Sequence, residues 1–199
     1  MFSKKMTLME KKRCSWPKND PLYIKYHDEE WGVPLKVDRA IFEFLILETF
    51  QAGLSWITVL RKRDNFRKAF DDFDYNKVSL FDDKKIEELL NDHGIIRNKL
   101  KIRAAVSNAK SFIQVQKEFG SFSKYIWRFV NHKPIINSWN DISELPAKTE
   151  LSDIISADLK KRGFKFVGST VVYAHMQATG MVNDHVIGCF RHREVKSEK

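Results

Sequence analysis

Residues 41–60 have the sequence IFEFLILETFQAGLSWITVL, which is almost wholly apolar and predicts a buried helix at the centre of the fold. Glu48 lies in the middle of this segment. At 100° per residue, Glu48 shares a helix face with Ile41 and Phe44, so its carboxylate points into the apolar side. A carboxylate removed from water needs a partner. Glu48 is therefore either held by an internal hydrogen bond or ion pair, or it faces a polar or cationic ligand.

A helix–turn–helix corner follows this buried segment. Gly53 is expected to break the central helix, and Ser55 to cap a second helix that starts near Trp56. This places a large, flat indole close to the Glu48 carboxylate. The juxtaposition favours the interpretation in which Glu48 faces a ligand.

Composition indicates one globular domain with a basic surface. The chain has 199 residues, of which 43% are hydrophobic, and its core is expected to be rich in its 15 phenylalanines and 5 tryptophans. The formal net charge of +9 and the pI near 9.5 favour a polyanionic partner such as nucleic acid. Charges interrupt each apolar run before about 18 residues, and residues 1–12 lack the apolar region of a secretory signal, so we expect a soluble, cytoplasmic protein without a membrane span.

The periodicity of the remaining chain predicts helices with almost no strand-like alternation, hence an all-α protein. Residues 1–12 are expected to form a flexible polar tail. Asp38 is expected to cap the central helix, residues 55–70 to form a second helix, and Glu43 to pair with Arg39 at the surface. The second helix carries a basic run, which either forms a solvated face or faces phosphate: Arg61, Lys62, Arg63 and Arg67.

A glycine-bearing turn at residues 163–168 joins two predicted helices, residues 152–162 and 169–179. Lysine and arginine side chains precede the turn. A turn of this kind can offer unpaired backbone amides to a phosphate group. It is also compatible with a plain connector between helices.

Two cysteines and two histidines near the ends of the chain form a candidate metal site. His185 and Cys189 are four residues apart, which on a helix places both on one face, while Cys14 and His27 lie near the N-terminus. Two thiolates and two imidazoles suit a tetrahedral structural zinc site with no open position. Spacing alone favours the alternative that the four are unrelated core and surface residues.

Several blocks of sequence resemble one known family. The blocks are Cys14-x-Trp16 and the segments at residues 20–34, 47–60, 94–102, 159–168 and 182–189. In this order they are similar to the 3-methyladenine DNA glycosylase I family, and the resemblance covers about residues 13–190. It implies an all-α, helix-hairpin-helix DNA glycosylase fold, formed by a single domain at residues 13–190 and followed by a basic C-terminal tail at residues 191–199.

The resemblance also assigns roles to individual residues. It implies one structural Zn²⁺ per chain, which joins the N- and C-terminal segments and is bound by Cys14, His27, His185 and Cys189. It implies a catalytic role for Glu48 in a base pocket whose other members are Tyr26, Trp56, Trp16 and Tyr23. It implies DNA binding by the turn, through Gly163, Lys165, Gly168 and Ser169. Many superfamily members have a catalytic aspartate where this chain has Asn183, and the neighbouring Asp184 is not assigned that role.

The function implied is base-excision repair by a monofunctional glycosylase. Such an enzyme flips 3-methyladenine out of double-stranded DNA carrying alkylated adenine, hydrolyses its N-glycosidic bond and releases the free base without cutting the strand. The expected protein is a monomer that acts on the bacterial nucleoid in the cytoplasm. Two alternatives remain at this point. One is a zinc-stabilised, non-catalytic nucleic-acid-binding module, and the other is a helical bundle that binds a small cationic molecule between Glu48 and Trp56.

Overall fold

A computed structural model describes residues 11–197, and these residues form a helical domain. The helices are α1 (Pro21–Glu29), α2 (Asp38–Gln51), α3 (Trp56–Leu60), α4 (Arg63–Ala69), α5 (Tyr75–Val78), α6 (Asp83–Asn91), α7 (Lys99–Phe119), α8 (Phe122–Trp127), α9 (Glu150–Lys161), α10 (Ser169–Ala178) and α11 (Phe190–Ser197). Three short 3₁₀ turns lie at Asp71–Phe73, Arg128–Val130 and Ile142–Glu144. The all-α prediction is confirmed.

The only extended pairing among the described residues is a two-residue parallel ladder. Strand β1 (Ile135–Ile136) pairs with β2 (Val182–Asn183). The ladder brings the connection after α8 beside the segment that follows α10. No helix within residues 11–197 is both long enough and apolar enough to cross a lipid bilayer.

Helix α2 is the centre of the core, as its apolar sequence predicts. Residues 41–50 are all buried, and α2 contacts α3, α7, α8 and α10. A helix that is apolar around its whole circumference must be covered on every side. Phenylalanines supply much of that cover, because Phe42 stacks edge-on against Phe112 at 5.1 Å and Phe50 packs on Phe66 at 4.8 Å.

The predicted capping of α2 by Asp38 is wrong. The N-cap position is Val37, and the Asp38 carboxylate instead accepts hydrogen bonds from the backbone amides of Phe122 and Ser123 at 2.9 and 2.7 Å. These amides belong to the first turn of α8, which has unpaired N–H groups to satisfy. Asp38 therefore begins one helix and caps another.

The predicted pair between Glu43 and Arg39 is also wrong. Glu43 is 9% exposed, and its Oε1 accepts from Arg63 at 2.6 Å and from Arg67 at 2.9 Å. Arg39 turns outward and donates to the carbonyl oxygen of Asp72 at 2.7 Å. Since α2 is covered on all sides, the carboxylate of Glu43 requires cations from a packed neighbour, and α4 supplies them.

The basic run forms ion pairs and hydrogen bonds within the protein. In addition to the pairs of Arg63 and Arg67 with Glu43, Arg61 pairs with Asp20 at 2.6 Å. Lys62 donates to the carbonyl oxygens of His93 and Gly94 at 3.0 and 3.2 Å. The predicted single helix at residues 55–70 is two helices, α3 and α4, and the bend between them directs these cations towards the protein.

The chain ends pack together. The amide of Phe190 donates to the carbonyl oxygen of Lys12 at 2.9 Å, and the Lys11 ammonium lies 4.5 Å from the Phe190 ring centroid. Residues 191–199, expected as a basic tail, include most of helix α11, in which Val195 is only 2% exposed. The burial of Val195 and the hydrogen bond from the Asn183 side chain to the carbonyl oxygen of His192, at 3.0 Å, hold this segment against the domain. Residues 1–10 of the expected N-terminal tail lie outside the described residues.

Candidate active site and metal centre

The four predicted metal ligands meet in one buried cluster. Their candidate ligand atoms all lie within 4.8 Å of one another. Sγ of Cys189 is 3.5 Å from Nε2 of His27 and 3.6 Å from Nδ1 of His185, and Sγ of Cys14 is 3.7 Å from the same Nδ1. In a tetrahedral site with metal–sulfur and metal–nitrogen bonds of about 2.3 and 2.1 Å, sulfur–nitrogen separations are about 3.6 Å. The donor set and its spacing thus fit a four-coordinate metal ion.

Hydrogen bonds behind the cluster orient both imidazoles. Nδ1 of His27 donates to the Asp28 carboxylate at 2.7 Å, and Arg13 holds that carboxylate at 2.7 Å. Nε2 of His185 donates to the carbonyl oxygen of Trp31 at 3.0 Å. In each histidine, one ring nitrogen carries the proton of the N–H group that donates. The other nitrogen therefore keeps a free lone pair, which a metal ion requires.

A cavity of about 230 Å³ opens beside the central carboxylate. It is lined by all five residues that the resemblance places in the base pocket, namely Trp16, Tyr23, Tyr26, Glu48 and Trp56. The other lining residues are Trp31, Gln51, Ile142, Leu145, Ala174 and Gln177. Cavities for drug-sized ligands have volumes of about 300–1,000 Å³, so this one suits a single small heterocycle.

Glu48 is the charged group of the cavity. It is 4% exposed, and no hydrogen bond or ion pair from residues 11–197 reaches its carboxylate. Burial alone raises the pKa of Glu48 from 4.5 to about 8, because a low-dielectric surrounding disfavours the ionised form. A cation placed in the cavity would reverse this effect by stabilising the carboxylate. Glu48 is therefore poised to receive a positively charged group.

Aromatic rings form the walls around Glu48. The rings of Tyr26 and Trp56 are 5.4 Å apart, and Trp16 meets Tyr23 edge-on at 4.6 Å. The indole N–H groups of Trp16 and Trp56 are buried without a hydrogen-bond partner among the described residues. Burial, followed by the charge of Glu48, raises the pKa of both Tyr23 and Tyr26, so these hydroxyls stay protonated. The walls are thus flat, uncharged and suited to contact a planar ring.

The turn between α9 and α10 contains three of the four predicted DNA-binding residues, and the fourth, Ser169, is the first residue of α10. Gly163 has a φ of +92°, and Lys165 is exposed beside it. Gly168 occupies the N-cap position of α10, where a Cβ atom would meet nothing within 4 Å. Asn108 of α7 fixes the turn, since its side chain bonds both the amide and the carbonyl of Lys165, at 2.7 and 3.0 Å. The N-terminus of α10 can accept an anion, and the Asp153 carboxylate already lies beside it, since the Ser169 side chain lowers the pKa of Asp153.

Helix α10 connects this turn to the cavity. Ser169 is the first residue of the helix, and Ala174 and Gln177 further along it line the cavity. A helix rises about 1.5 Å per residue, so these two residues lie roughly 8 and 12 Å along the helix axis from its first residue. The same element therefore spans the anion-accepting turn and the ring-binding cavity.

Comparison with known proteins agrees with this arrangement. A family model of methyladenine glycosylases matches residues 16–192. DNA-3-methyladenine glycosylase 1 of Escherichia coli (strain K12) is 50% identical over 177 residues, which cover 89% of this chain and 95% of that protein. A crystal structure of 3-methyladenine DNA glycosylase I has 47% sequence identity and a TM-score of 0.88, covering 90% of this chain and 98% of that one. This chain belongs to the methyladenine glycosylase family.

A further solved relative is also similar. The 3-methyladenine DNA glycosylase I of Staphylococcus aureus, whose structure addresses 3-methyladenine recognition, is 35% identical with a TM-score of 0.87, covering 89% of this chain and 95% of that one. The family model spans the turn, the cavity residues and three of the four residues of the cysteine and histidine cluster, and Cys14 lies outside it.

In this methyladenine glycosylase, Asn183 and Asp184 are both engaged internally. Asn183 is fully buried, and its side chain donates to the carbonyl oxygen of His192 at 3.0 Å and accepts from the amide of His185 at 3.2 Å. Asp184 is 1% exposed and accepts four side-chain hydrogen bonds. Neither residue lines the cavity. Both hold the segment that carries the His185 ligand.

Several residues that shape the site carried no usable signal in the sequence. Asp28 follows a ligand histidine directly, which is a signal for an orienting carboxylate. No sequence signal pointed to three of the residues that line the cavity, Gln51, Ala174 and Gln177. Small and amide side chains on helices are compatible with any exposed or half-buried position. Lys101, which contacts the end of α2, had none either.

Proposed function

We propose that this chain is a base-excision glycosylase that hydrolyses the N-glycosidic bond of 3-methyladenine in alkylated double-stranded DNA and releases the free base. The observation that carries the proposal is the buried, unpaired carboxylate of Glu48 in a cavity with aromatic walls. Adenine methylated at N3 is a cation when attached to deoxyribose, whereas undamaged adenine is neutral. A pocket of this kind therefore discriminates by charge.

The aromatic side chains that line the cavity explain how the damaged base would bind. The nucleotide has to leave the duplex to reach an enclosed cavity, at a cost of a few kcal/mol that is lowest for poorly stacked bases. Tyr26 and Trp56 would flank the extruded base, with Trp16 and Tyr23 completing the enclosure. Attraction between a cation and an aromatic face contributes about 0.5–2 kcal/mol, which neutral adenine does not receive.

Glu48 would supply the main electrostatic interaction. Its ionised carboxylate accepts hydrogen bonds from the amino edge of the purine, and such charge-assisted bonds are roughly twice as strong as neutral ones. The positive charge of the lesion offsets the burial that keeps Glu48 protonated in the empty cavity. The carboxylate is thus ionised when, and because, the cationic base is present.

The chemistry requires little further help because the base is a good leaving group. The bond between C1′ and N9 breaks, and its electron pair moves onto the purine and neutralises the positive charge. Water adds to C1′, and its extra proton passes to solvent. The products are the neutral base and an abasic site in an uncut strand.

Contact with DNA is assigned to the turn between α9 and α10. The amides at the N-terminus of α10, from Gly168 and Ser169 onward, would bind a backbone phosphate, and Gly163 would let the chain turn close to it. Lys165 adds a positive charge at the surface. This assignment agrees with the net charge of +9.

The metal is assigned as one structural Zn²⁺ per chain. Cys14, His27, His185 and Cys189 would bind it with no position left for water or substrate, so it supplies folding free energy and no reaction step. It would join the segment before α1 to the segment before α11. Its removal should loosen the chain ends and lower stability.

The proposal extends to the protein's behaviour in the cell. We assign it as a monomer that acts on nucleoid DNA in the cytoplasm of a bacterium, which the bacterial relatives support. We assign it as monofunctional, without lyase activity, since none of the residues lining the cavity within the described chain is a lysine. Treatment with borohydride during the reaction should leave no protein attached to DNA, and a trapped adduct would refute the assignment.

A base-release assay tests the function directly. The protein is incubated with methylated duplex DNA, and released purines are separated by chromatography. We expect free 3-methyladenine from the wild type and at least a 10-fold loss with Glu48→Gln, since that change removes a charge-assisted hydrogen bond. The control is Glu87→Gln, at an exposed position on α6. Binding to methylated and unmethylated duplex with equal affinity and no release would instead establish the non-catalytic DNA-binding alternative.

A further inference from the structure

We propose that Gln177 is a specificity-determining residue, whose carbonyl oxygen faces the base as a second acceptor, and that Asp184 is the positioning residue that orients it. The inference rests on the proposed function and deepens it, because it names what besides Glu48 selects a cationic purine. It is carried by the side-chain network around Asp184 and by the place of Gln177 in the cavity wall.

The Asp184 carboxylate is saturated with donors. Its Oδ1 accepts from the side chains of Asn137 and Trp139 at 2.6 and 2.8 Å. Its Oδ2 accepts from the hydroxyl of Tyr173 at 2.6 Å and from Nε2 of Gln177 at 2.7 Å. Four convergent donors make this group an acceptor only, held at 1% exposure between α10 and the connection after β1.

This network decides which way the Gln177 amide faces. A glutamine side chain has one donating NH₂ group and one accepting oxygen, and a carboxylate can only accept. The NH₂ group must therefore face Asp184, and the carbonyl oxygen lies at the other end of the amide. That oxygen receives no hydrogen bond within residues 11–197, and Gln177 lines the cavity. The polar group that Gln177 offers to a ligand is an acceptor.

The backbone of Gln177 is fixed as firmly as its side chain. The backbone carbonyl oxygen of Gln177 accepts a hydrogen bond from the backbone amide of Gly32 at 3.0 Å. Three residues later, Gly180 packs so closely on the chain that a Cβ atom would lie 2.3 Å from the carbonyl carbon of Val33. An acceptor that cannot turn away or withdraw is preorganised for a positive ligand.

A second glutamine of the cavity wall is oriented in the same sense. Nε2 of Gln51 donates to the carbonyl oxygen of Leu54 at 2.8 Å, which again leaves the amide oxygen as the free polar atom. Together with Glu48, the two amides give the cavity a lining in which charge and amide dipoles all favour positive ligands. A neutral purine can donate its amino hydrogens to these acceptors, but it brings no positive charge for them to stabilise.

The experiment uses two purines that differ by one methyl group and one charge. Adenine methylated at N3 and N9 is a permanent cation without a cleavable bond, and adenine methylated at N9 is its neutral counterpart. Binding of each to the intact protein is followed by tryptophan fluorescence. For Gln177→Met we expect about 10-fold weaker binding of the cation, the range for a hydrogen bond to a charged group, and a change of less than about 2-fold for the neutral purine.

The matched control is Tyr173→Phe. This change also removes one donor from Oδ2 of Asp184, but Tyr173 does not line the cavity. We expect it to leave the ratio of the two affinities unchanged. If Gln177→Met fails to fold, Gln177→Leu is used in its place.

Two results would overturn the inference. One is an equal loss of affinity for both purines in the Gln177 variant. That result would mean that the substitution changes the shape of the cavity and not its preference for a cation. The other is an unchanged affinity for both purines in the Gln177 variant, which would mean that Gln177 serves only to satisfy Asp184 and does not reach the ligand. Failure of the proposed function would show differently, as a wild-type protein that releases no 3-methyladenine from methylated DNA.

Discussion

The ammonium group of Lys101 lies 2.6 Å from the carbonyl oxygen of Ala52, at the point where α2 ends. The same group donates to the carbonyl oxygen of Phe50 at 2.9 Å. The last carbonyls of a helix have no intrahelical partner and carry partial negative charge, so a buried cation from α7 stabilises this end. Burial lowers the pKa of Lys101. The contact therefore fixes the position of the C-terminal end of α2, the helix that carries Glu48.

Lys101→Met should destabilise the protein and impair base release together. The change leaves two carbonyl oxygens without their donor, at a cost of about 1–3 kcal/mol in the free energy of unfolding. We also expect a lower kcat, because the turn at residues 51–55 next to the cavity loses its anchor. Urea denaturation and single-turnover release measure the two effects. Lys99→Met, at an exposed position two residues earlier, is the control, and equal behaviour of the two variants would contradict the prediction.

Glu48→Gln should stabilise the DNA-free protein increasingly as pH rises. The pKa of Glu48 is about 8 in the folded state against 4.5 as its ordinary value, so between these values the folded state holds a proton that the unfolded state has lost. Wild-type stability therefore falls with rising pH across this window, whereas the glutamine does not titrate. The difference between the two proteins should grow by up to about 5 kcal/mol from pH 4.5 to pH 8 and then level off.

Denaturation curves at several pH values measure this difference. The exposed control Glu87→Gln should differ from the wild type by a constant amount over the same range. A flat difference for Glu48→Gln would show that water or a cation already solvates the carboxylate in the empty cavity.

Asp28→Asn should weaken metal binding without removing a ligand. Asp28 accepts a hydrogen bond from Nδ1 of His27 at 2.7 Å and so keeps the other ring nitrogen free for the metal. Loss of such an orienting carboxylate typically lowers metal affinity by about 10–100-fold. Competition with a coloured zinc chelator measures the affinity. Asp83→Asn, whose side chain is 89% exposed, has the same change of charge and should bind zinc as the wild type does.

Lys165→Gln should weaken DNA binding in a salt-dependent way. If Lys165 neutralises one phosphate, its loss should lower the slope of log K against log salt concentration by about 0.9. The loss of affinity should be the same for methylated and unmethylated duplex, because a phosphate contact does not read bases. Lys117→Gln, an exposed lysine on α7, changes the net charge equally. An unchanged slope in Lys165→Gln would remove this side chain from the DNA interface.

Much of the fold was predictable from local pattern. The apolar residues 41–50 required a helix covered on all sides, and the same periodicity placed Glu48 on its buried face. The metal ligands were predictable only as residue types, since spacing did not distinguish a site from four unrelated residues. The resemblance to a known family resolved that choice, and the structure brings the four side chains together.

Prediction from the local sequence pattern failed where the partner of a side chain comes from a distant part of the chain. Glu43 was expected to pair with Arg39 on its own helix, yet it pairs with Arg63 and Arg67 of α4. Asp38 was expected to cap its own helix, yet it caps α8. In both cases the local interaction was possible, but the packed arrangement brought donors from another helix to the carboxylate.

By itself, therefore, the sequence determined that residues 41–50 form a buried helix, because burial of such a segment follows from its apolar side chains. It also determined that a carboxylate lies among them at position 48. Only the tertiary structure decided what each buried polar group meets: no partner within residues 11–197 for Glu48, cations for Glu43, and Asp184 for the amide of Gln177. The physical reason is that hydrogen bonds are short and directional, so their partners are chosen by the packing of whole helices.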